Sequence, residues 1–271
     1  MSLSNTTVRI IVAVIAIPVI VFVSYIGSYY FFVFTLAIGI ISFYEFWLFV
    51  RKKEIDANLF LGIFSVILLI TNNFRNFVDF YALILSVVLL LTVVELFRKE
   101  GSAIVNLGTT LFGILYIGLF ASSLVSIREF YPVEYNRGGL IILSILFSIW
   151  ICDSAAFFVG TAIGKHKMFP RVSPKKSWEG TLFGLLFAVI AMITSKVVFL
   201  GFVSWQDAIL IGLIVGIVGQ IGDLIESLLK RDAGVKDSSD FIPGHGGVFD
   251  RFDSLLYTAP AVFLYIKYFS K

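Results

Sequence analysis

Cysteine and histidine are almost absent from this sequence: 271 residues hold Cys152, His166 and His245 and no others of either type. A lone cysteine excludes a disulfide within one chain. One Cys and two His cannot build a typical structural zinc site. A metal here must rest on carboxylates, which points to a hard ion such as Mg2+. Charge is scarce as well. Only 14% of residues are Asp, Glu, Lys or Arg, against roughly 25% in an ordinary soluble domain. With 59% apolar residues and a mean hydropathy of +0.97, a soluble fold could not cover its own apolar surface, and a bilayer is the natural solvent. Internal repeats, low-complexity tracts and a soluble domain are also missing. The net charge is +3, and no nucleic-acid partner is expected.

What is present is grease in long runs. A helix crosses the hydrocarbon in about 20 residues. Apolar segments of that order run over 10–27, 29–50, 57–73, 77–97, 103–127, 139–162, 180–200, 205–229 and 254–269, which predicts about nine transmembrane helices. The first two are separated by Gly27 and Ser28 alone. Runs such as FSVILLI and SVVLLLTVV do not alternate, which disfavours a membrane β-barrel. The fold class is therefore all-α and polytopic. Arg9 precedes the first apolar run, no small-x-small cleavage site stands out, and a second span follows at once, so the first span is read as retained. On alternate loops, 15 of the 21 basic residues fall on one side and 6 on the other, Lys271 among the latter. This asymmetry predicts a cytoplasmic N-terminus and places the two longest polar loops, 163–179 and 230–253, in the cytoplasm. The whole chain, 1–271, reads as one transmembrane domain. Residues 1–130 are mainly scaffold, and 150–260 hold the catalytic helices and loops.

The polar residues gather late. In GLIVGIVGQIGDLIESLLKRDAG, Asp223 lies deep in an apolar helix, at a cost of roughly 2.5–3.5 kcal/mol on insertion scales unless water or a partner meets it. Asp223, Glu226, Ser227, Lys230 and Arg231 recur at helical spacing as one stripe. The ordinary alternative for Glu226 and Lys230 is an i,i+4 pair. Gly212, Gly216, Gly219 and Gly222 offer small surfaces for close helix approach. Next comes KDSSDFIPGHGGVFDRFD, with Lys236 and Asp237 at its start. Gly244, Gly246 and Gly247 bracket His245, and backbone amides of such a loop can cradle phosphate. The competing reading is a plain turn. His245 suits either a hydrogen bond to phosphate or proton transfer. Asp250 and Asp253 share a helix face with Arg251 between them. Acids in a first turn also suit the helix dipole. With Asp223 they make three carboxylates near one membrane boundary, a set suited to Mg2+ with bound phosphate.

The other loop, CDSAAFFVGTAIGKHKMFPRVSPKKSWEG, carries Asp153 and a basic block. Only Thr161, Ala162 and Ile163 separate Gly160 from Gly164, and His166 follows Lys165, so this is not a P-loop. Ser173, Lys175 and Lys176 can hold a polyphosphate or serve only as a topology signal. His166 reads as a surface residue.

Residues 227–253 closely resemble the signature of the phosphatidate cytidylyltransferase family, also called CDP-diacylglycerol synthases. Ser227, Leu229, Lys230 and Arg231 match its first block. Lys236-Asp237 follow, then Ser239, Ile242 and Pro243, then His245-Gly246-Gly247-Val248, and Asp250-Arg251-Phe252-Asp253 close it. Asp153-Ser154-Ala155-Ala156 and Ser173 to Gly180 are similar to the family's second region. Together the two regions cover about 55 residues. The resemblance implies that CTP and phosphatidate give CDP-diacylglycerol and pyrophosphate. It also implies Mg2+ dependence and a polytopic helical fold, often dimeric; with the basic-residue asymmetry, the expectation is a multi-pass protein of the cell membrane with its active site facing the cytoplasm. Asp223 and Asp250 are its implied metal ligands, joined here by Asp253, and a monovalent cation such as K+ is known beside the magnesium in the family. Lys236, Asp237 and His245 are the expected catalytic residues. Ser173, Lys175, Lys176, Lys230, Arg231 and Arg251 are the expected substrate-binding ones.

Other classes compete. A transporter with an intramembrane carboxylate pathway explains Asp153 and Asp223 but not His-Gly-Gly between basic clusters. A CTP-dependent lipid kinase would release CDP instead of pyrophosphate. A CDP-alcohol phosphotransferase needs an Asp-Gly-x-x-Ala-Arg run, which is missing.

Overall fold

The computed structural model describes residues 5–270. Lys271, counted above among the outer basic residues, lies outside them. Helix accounts for 77% of the structure. Among the described residues there are nine helical rods: α1 (Asn5–Ile26), α2 (Ser28–Arg51), α3 (Leu59–Arg75), α4 (Phe80–Leu96), α5 (Ala103–Arg128), α6 (Asn136–Ile163), α7 (Trp178–Val198), α8 (Trp205–Asp232) and α9 (Val248–Tyr268). They match the nine apolar segments in order. Six of them, α1, α2, α5, α6, α7 and α8, are long and apolar enough to cross a membrane. Helices α3 and α4 are apolar but have 17 residues each. Helix α9 carries Asp250, Arg251 and Asp253 in its first two turns.

Two rods contain π-helical stretches, Ile114–Leu119 in α5 and Val215–Gly219 in α8. Such stretches shift the helical phase and are frequent at functional sites. In α8 the glycines accordingly serve two neighbours. A β-carbon on Gly212 or Gly216 would meet Val189 or Leu185 of α7, whereas one on Gly219 or Gly222 would meet Thr258 or Tyr257 of α9. These close approaches hold α7, α8 and α9 together, as the small-residue spacing predicts.

The loop between α6 and α7 departs from the all-α expectation. It forms an antiparallel hairpin of β1 (Lys167–Phe169) and β2 (Ser173–Ser177), with Lys167 opposite Ser177 and Phe169 opposite Ser173. Pro170 sits in the turn, where its missing N–H costs nothing. Glu179 fixes the hairpin's root by approaching the His166 ring Nδ1 at 2.6 Å. The side chain of His166 is exposed, as expected, but it is tied to this carboxylate.

At the other end of the bundle, the break between α1 and α2 rests on a third residue. Gly27 has φ +71°, and Arg128 Nη2 lies 2.1 Å from where its β-carbon would be. The fully buried Arg128 donates to the carbonyls of Ser24, Tyr25 and Tyr135 at 2.8–2.9 Å and lies over the Tyr135 ring. It satisfies the last carbonyls of α1, which have no partner within the helix. The apolar core runs between these ends and includes Phe43, Phe46, Phe49, Ile117, Leu124 and Phe249.

Candidate active site

A cavity of about 410 Å3 opens where α6, the hairpin, α7, α8 and α9 meet. Its acidic lining is Asp153 from α6, Asp223 and Glu226 from α8, Asp237 from the α8–α9 loop, and Asp250 and Asp253 from α9. Its basic lining is Lys175 and Lys176 from β2, Lys230 from α8 and Arg251 from α9. Ala156, Phe157, Gly160 and Thr161 extend the wall along α6.

Local sequence explains these placements. Asp223, Glu226 and Lys230 share one face of α8 by their i,i+3 and i,i+4 spacing. Lys230 Nζ bridges Glu226 at 2.6 Å and Asp250 at 2.7 Å, so the ordinary i,i+4 pair is real and extends to a second helix. Lys176 Nζ lies 2.7 Å from Asp223 Oδ2, joining the hairpin to α8. Asp223 Oδ1 accepts from Ser227 at 3.3 Å. Glu226 is 1% exposed, and its Oε1 has no hydrogen-bond partner.

Asp250 organises the signature loop. It accepts from the amides of Gly247 at 2.8 Å and Ser238 at 3.0 Å in addition to Lys230. The Gly247 contact is one half of a capping box at the start of α9. Gly244 and Gly246 adopt φ of +73° and +80°, the left-handed conformation glycine allows. The amide of His245 donates to the Ile242 carbonyl at 2.9 Å, closing a tight turn. The amides of Ser238, His245, Gly247, Val248 and Phe249 all have protein acceptors, so these five are engaged within the protein and do not form an open phosphate cradle.

Of the twelve sequence-predicted site residues, eight line the cavity: Lys175, Lys176, Asp223, Lys230, Asp237, Asp250, Arg251 and Asp253. Ser173, Arg231, Lys236 and His245 are not among its lining residues. Ser173 is taken up by strand pairing. Arg231 donates to the carbonyls of Val172 and Val235, linking the α6–α7 and α8–α9 loops. Lys236 is exposed, and the His245 ring lies 3.5 Å from the Pro243 carbonyl. Glu45 of α2, which the sequence reading passed over, accepts four hydrogen bonds from the signature region. Its signal was available: a lone carboxylate inside an apolar helix is functional by default.

The donor set bears on a metal. Among the described residues, no group of three or more His, Cys, Asp or Glu side chains forms a ready-made cage. Mg2+ does not require one, because it binds through one or two carboxylates together with water and substrate phosphate. The cavity lining has six acidic against four basic side chains, a formal excess of two negative charges. A divalent ion carried with a polyphosphate would offset that formal excess, and the carboxylates present fit one.

A family model described as the cytidylyltransferase family matches residues 7–269. The chain belongs to the cytidylyltransferase family. It is 30% identical over 272 residues to the phosphatidate cytidylyltransferase of Bacillus subtilis (strain 168), covering 97% of this chain and 98% of that protein. It is 33% identical over 271 residues to the phosphatidate cytidylyltransferase of Brucella suis biovar 1 (strain 1330), with 99% and 96% covered. The phosphatidate cytidylyltransferase of Haemophilus influenzae (strain ATCC 51907 / DSM 11121 / KW20 / Rd) is 41% identical over 155 residues, 55% of this chain and 54% of that one. The resemblance read from residues 227–253 therefore extends over nearly the whole of this cytidylyltransferase-family chain.

Proposed function

We propose that this protein transfers the cytidylyl group of CTP to phosphatidate, giving CDP-diacylglycerol and pyrophosphate for phospholipid synthesis. One observation carries the reading beyond family membership. The Lys175-Lys176 loop and the signature residues, about 50 positions apart in sequence, line one charged cavity in an otherwise apolar bundle. One substrate stays in the bilayer and the other stays in water, so the reaction needs charge at their boundary.

In this mechanism an oxygen of the phosphatidate phosphate attacks the α-phosphorus of CTP. The bond from that phosphorus to the β-phosphate's bridging oxygen breaks, and pyrophosphate leaves with the electron pair. The attacking phosphate is already a nucleophile, so catalysis is mainly positioning and charge neutralisation. Lys175 and Lys176 hold the triphosphate. Lys230 and Arg251 neutralise charge from the other wall. Asp237 orients the nucleotide end of the cavity, and Lys236, Arg231, Ser173 and His245 act from outside its lining. Asp223, Asp250 and Asp253 are the residues that would hold Mg2+, which when bound supplies charge neutralisation on the triphosphate and the leaving group. Of these, Asp250 is already the most engaged by protein donors. A monovalent cation such as K+ belongs to the same reading.

The same proposal has all nine rods crossing the cell membrane as one transmembrane domain, with the N-terminus and the cavity facing the cytoplasm. The basic-residue asymmetry supports it. A reporter fused after the last residue is expected to signal from outside the cell, and a cytoplasmic signal would break the span count. A homodimer is part of the reading. The apolar face of α1, buried for only 11% of its span, supports a lipid or second-copy neighbour there.

The reaction is tested by pyrophosphate release from CTP, which is expected to require both phosphatidate and Mg2+. No turnover in a folded sample across several phosphatidates would favour a transporter. CDP release with a lipid alcohol would favour a kinase. The loop's role has its own test. Lys175→Ala with Lys176→Ala is expected to raise the KM for CTP about 10-fold or more, since a charge-assisted contact is worth about 1.5–3 kcal/mol. The KM for phosphatidate should change less. An unchanged CTP dependence would reduce the block to a topology signal.

A further inference from the structure

Glu45 carries the only charge in α2 before Arg51 and is 1% exposed. Its position is about 9 Å along the helix from Arg51, at 1.5 Å per residue. A carboxylate at this depth needs partners. None of the ion pairs among the described residues includes it. Four hydrogen bonds meet it instead. Oε1 accepts from the Ser239 hydroxyl at 2.6 Å and the Val248 amide at 3.0 Å. Oε2 accepts from the Ser238 hydroxyl at 3.1 Å and the Phe249 amide at 2.7 Å.

The partners have a pattern. Val248 and Phe249 open α9, where amides lack acceptors within the helix and the dipole favours an anion. Ser238 and Ser239 lie on the other side of the loop that contains His245. One carboxylate thus ties both ends of residues 240–247 to α2. Asp250 grips Ser238 and Gly247 through their amides from α9 itself. Gly247 has to be small between them: a β-carbon there would lie 1.9 Å from Ser238 Oγ and 2.7 Å from either Glu45 oxygen. The placement of Asp250, Arg251 and Asp253 in the cavity therefore depends on a residue some two hundred positions earlier in the chain.

We infer that Glu45 is a positioning residue for cytidylyl transfer: it fixes the first turn of α9 against α2 and so sets where Asp250, Arg251 and Asp253 face the cavity, without touching substrate. Its kinetic consequence rests on the proposed reaction. Its structural consequence does not. A misplacement of about 1 Å can cost about 10²-fold in rate. Glutamine is nearly isosteric but keeps one acceptor oxygen where two backbone amides need acceptors, and its nitrogen faces a donor.

The test uses the full chain in detergent or liposomes. Glu45→Gln is expected to lower kcat per folded molecule by about 10-fold or more, with both KM values within about 3-fold. Hydrogen exchange at the Val248 and Phe249 amides is expected to speed up about 10-fold or more, as an amide that loses its acceptor opens more readily. Gly247→Ala pushes on the same contact without changing charge and should reproduce both effects. Exchange at 248–249 as slow as in the unaltered protein, or an undiminished kcat per folded molecule, overturns the inference. Failure of the unaltered protein to make any CDP-lipid overturns the reaction instead, and the exchange comparison still decides whether Glu45 holds α9.

Discussion

Asp223→Asn is expected to lower kcat by about 10²–10³-fold, the scale of losing one preorganised electrostatic contact at a reacting phosphate. The residue sits where three parts of the cavity meet. Its own helix supplies Glu226 and Lys230, the hairpin supplies Lys176 at 2.7 Å, and α9 supplies Asp253 to the same lining. Asparagine keeps the shape but loses the charge that a cation needs and that balances Lys176. The fold should survive. Asp223 has a third of its side chain exposed, and its recorded partners are Lys176 and Ser227 alone. A sample that elutes and melts like the unaltered protein yet turns over CTP near the normal rate would remove Asp223 from the site.

The largest stability effect is expected at the opposite end of the bundle. Arg128→Met should destabilise the protein by about 3–5 kcal/mol, because it leaves the buried Ser24 carbonyl and the part-buried Tyr25 and Tyr135 carbonyls without donors, and an unmet buried group costs about 1–3 kcal/mol, less where water can reach it. Arg128→Lys should recover little, since an ammonium on a flexible stem does not reproduce a planar fork that reaches three acceptors. Both variants should retain their rate per folded molecule at low temperature, because Gly27 and Tyr135 lie at the end of the bundle away from the cavity. Gly27→Ala should couple to them: a β-carbon there collides with the guanidinium, so the double variant should lose less than the sum of the singles. Thermal aggregation midpoints in detergent check this. Midpoints unchanged in Arg128→Met would show that the carbonyls find other partners.

Much of the cavity was legible because its chemistry is local in sequence. Asp223, Glu226 and Lys230 follow from helical spacing, and Asp250, Arg251 and Asp253 are nearly contiguous. The nine apolar runs found their helices for the same reason, since length and composition are local properties. What escaped depends on distant pairs. Glu45 meets partners 193 to 204 residues away, and Arg128 meets Ser24 and Tyr25 across more than a hundred. Neither pairing leaves a periodic trace. Arg128 counted only as a positive charge on the outer side, and Glu45 did not enter the reading. The π-helical stretches were hidden inside unbroken apolar runs, where a slip in phase changes no composition. The hairpin was missed because β1 and β2 are too short to show alternation. The glycines of the signature allowed a phosphate cradle or a plain turn; in the fold the amides of His245, Gly247, Val248 and Phe249 serve Ile242, Asp250 and Glu45.

The most direct measurement follows the label of CTP into product. CTP carrying phosphorus label at the α position is incubated with the purified protein, phosphatidate and Mg2+, and the lipid and aqueous fractions are separated. The account predicts that α-label enters the lipid as CDP-diacylglycerol, while label at the γ position leaves as pyrophosphate in equal amount. Label from the γ position in the lipid, with α-label left behind as CDP, would contradict it and show a kinase.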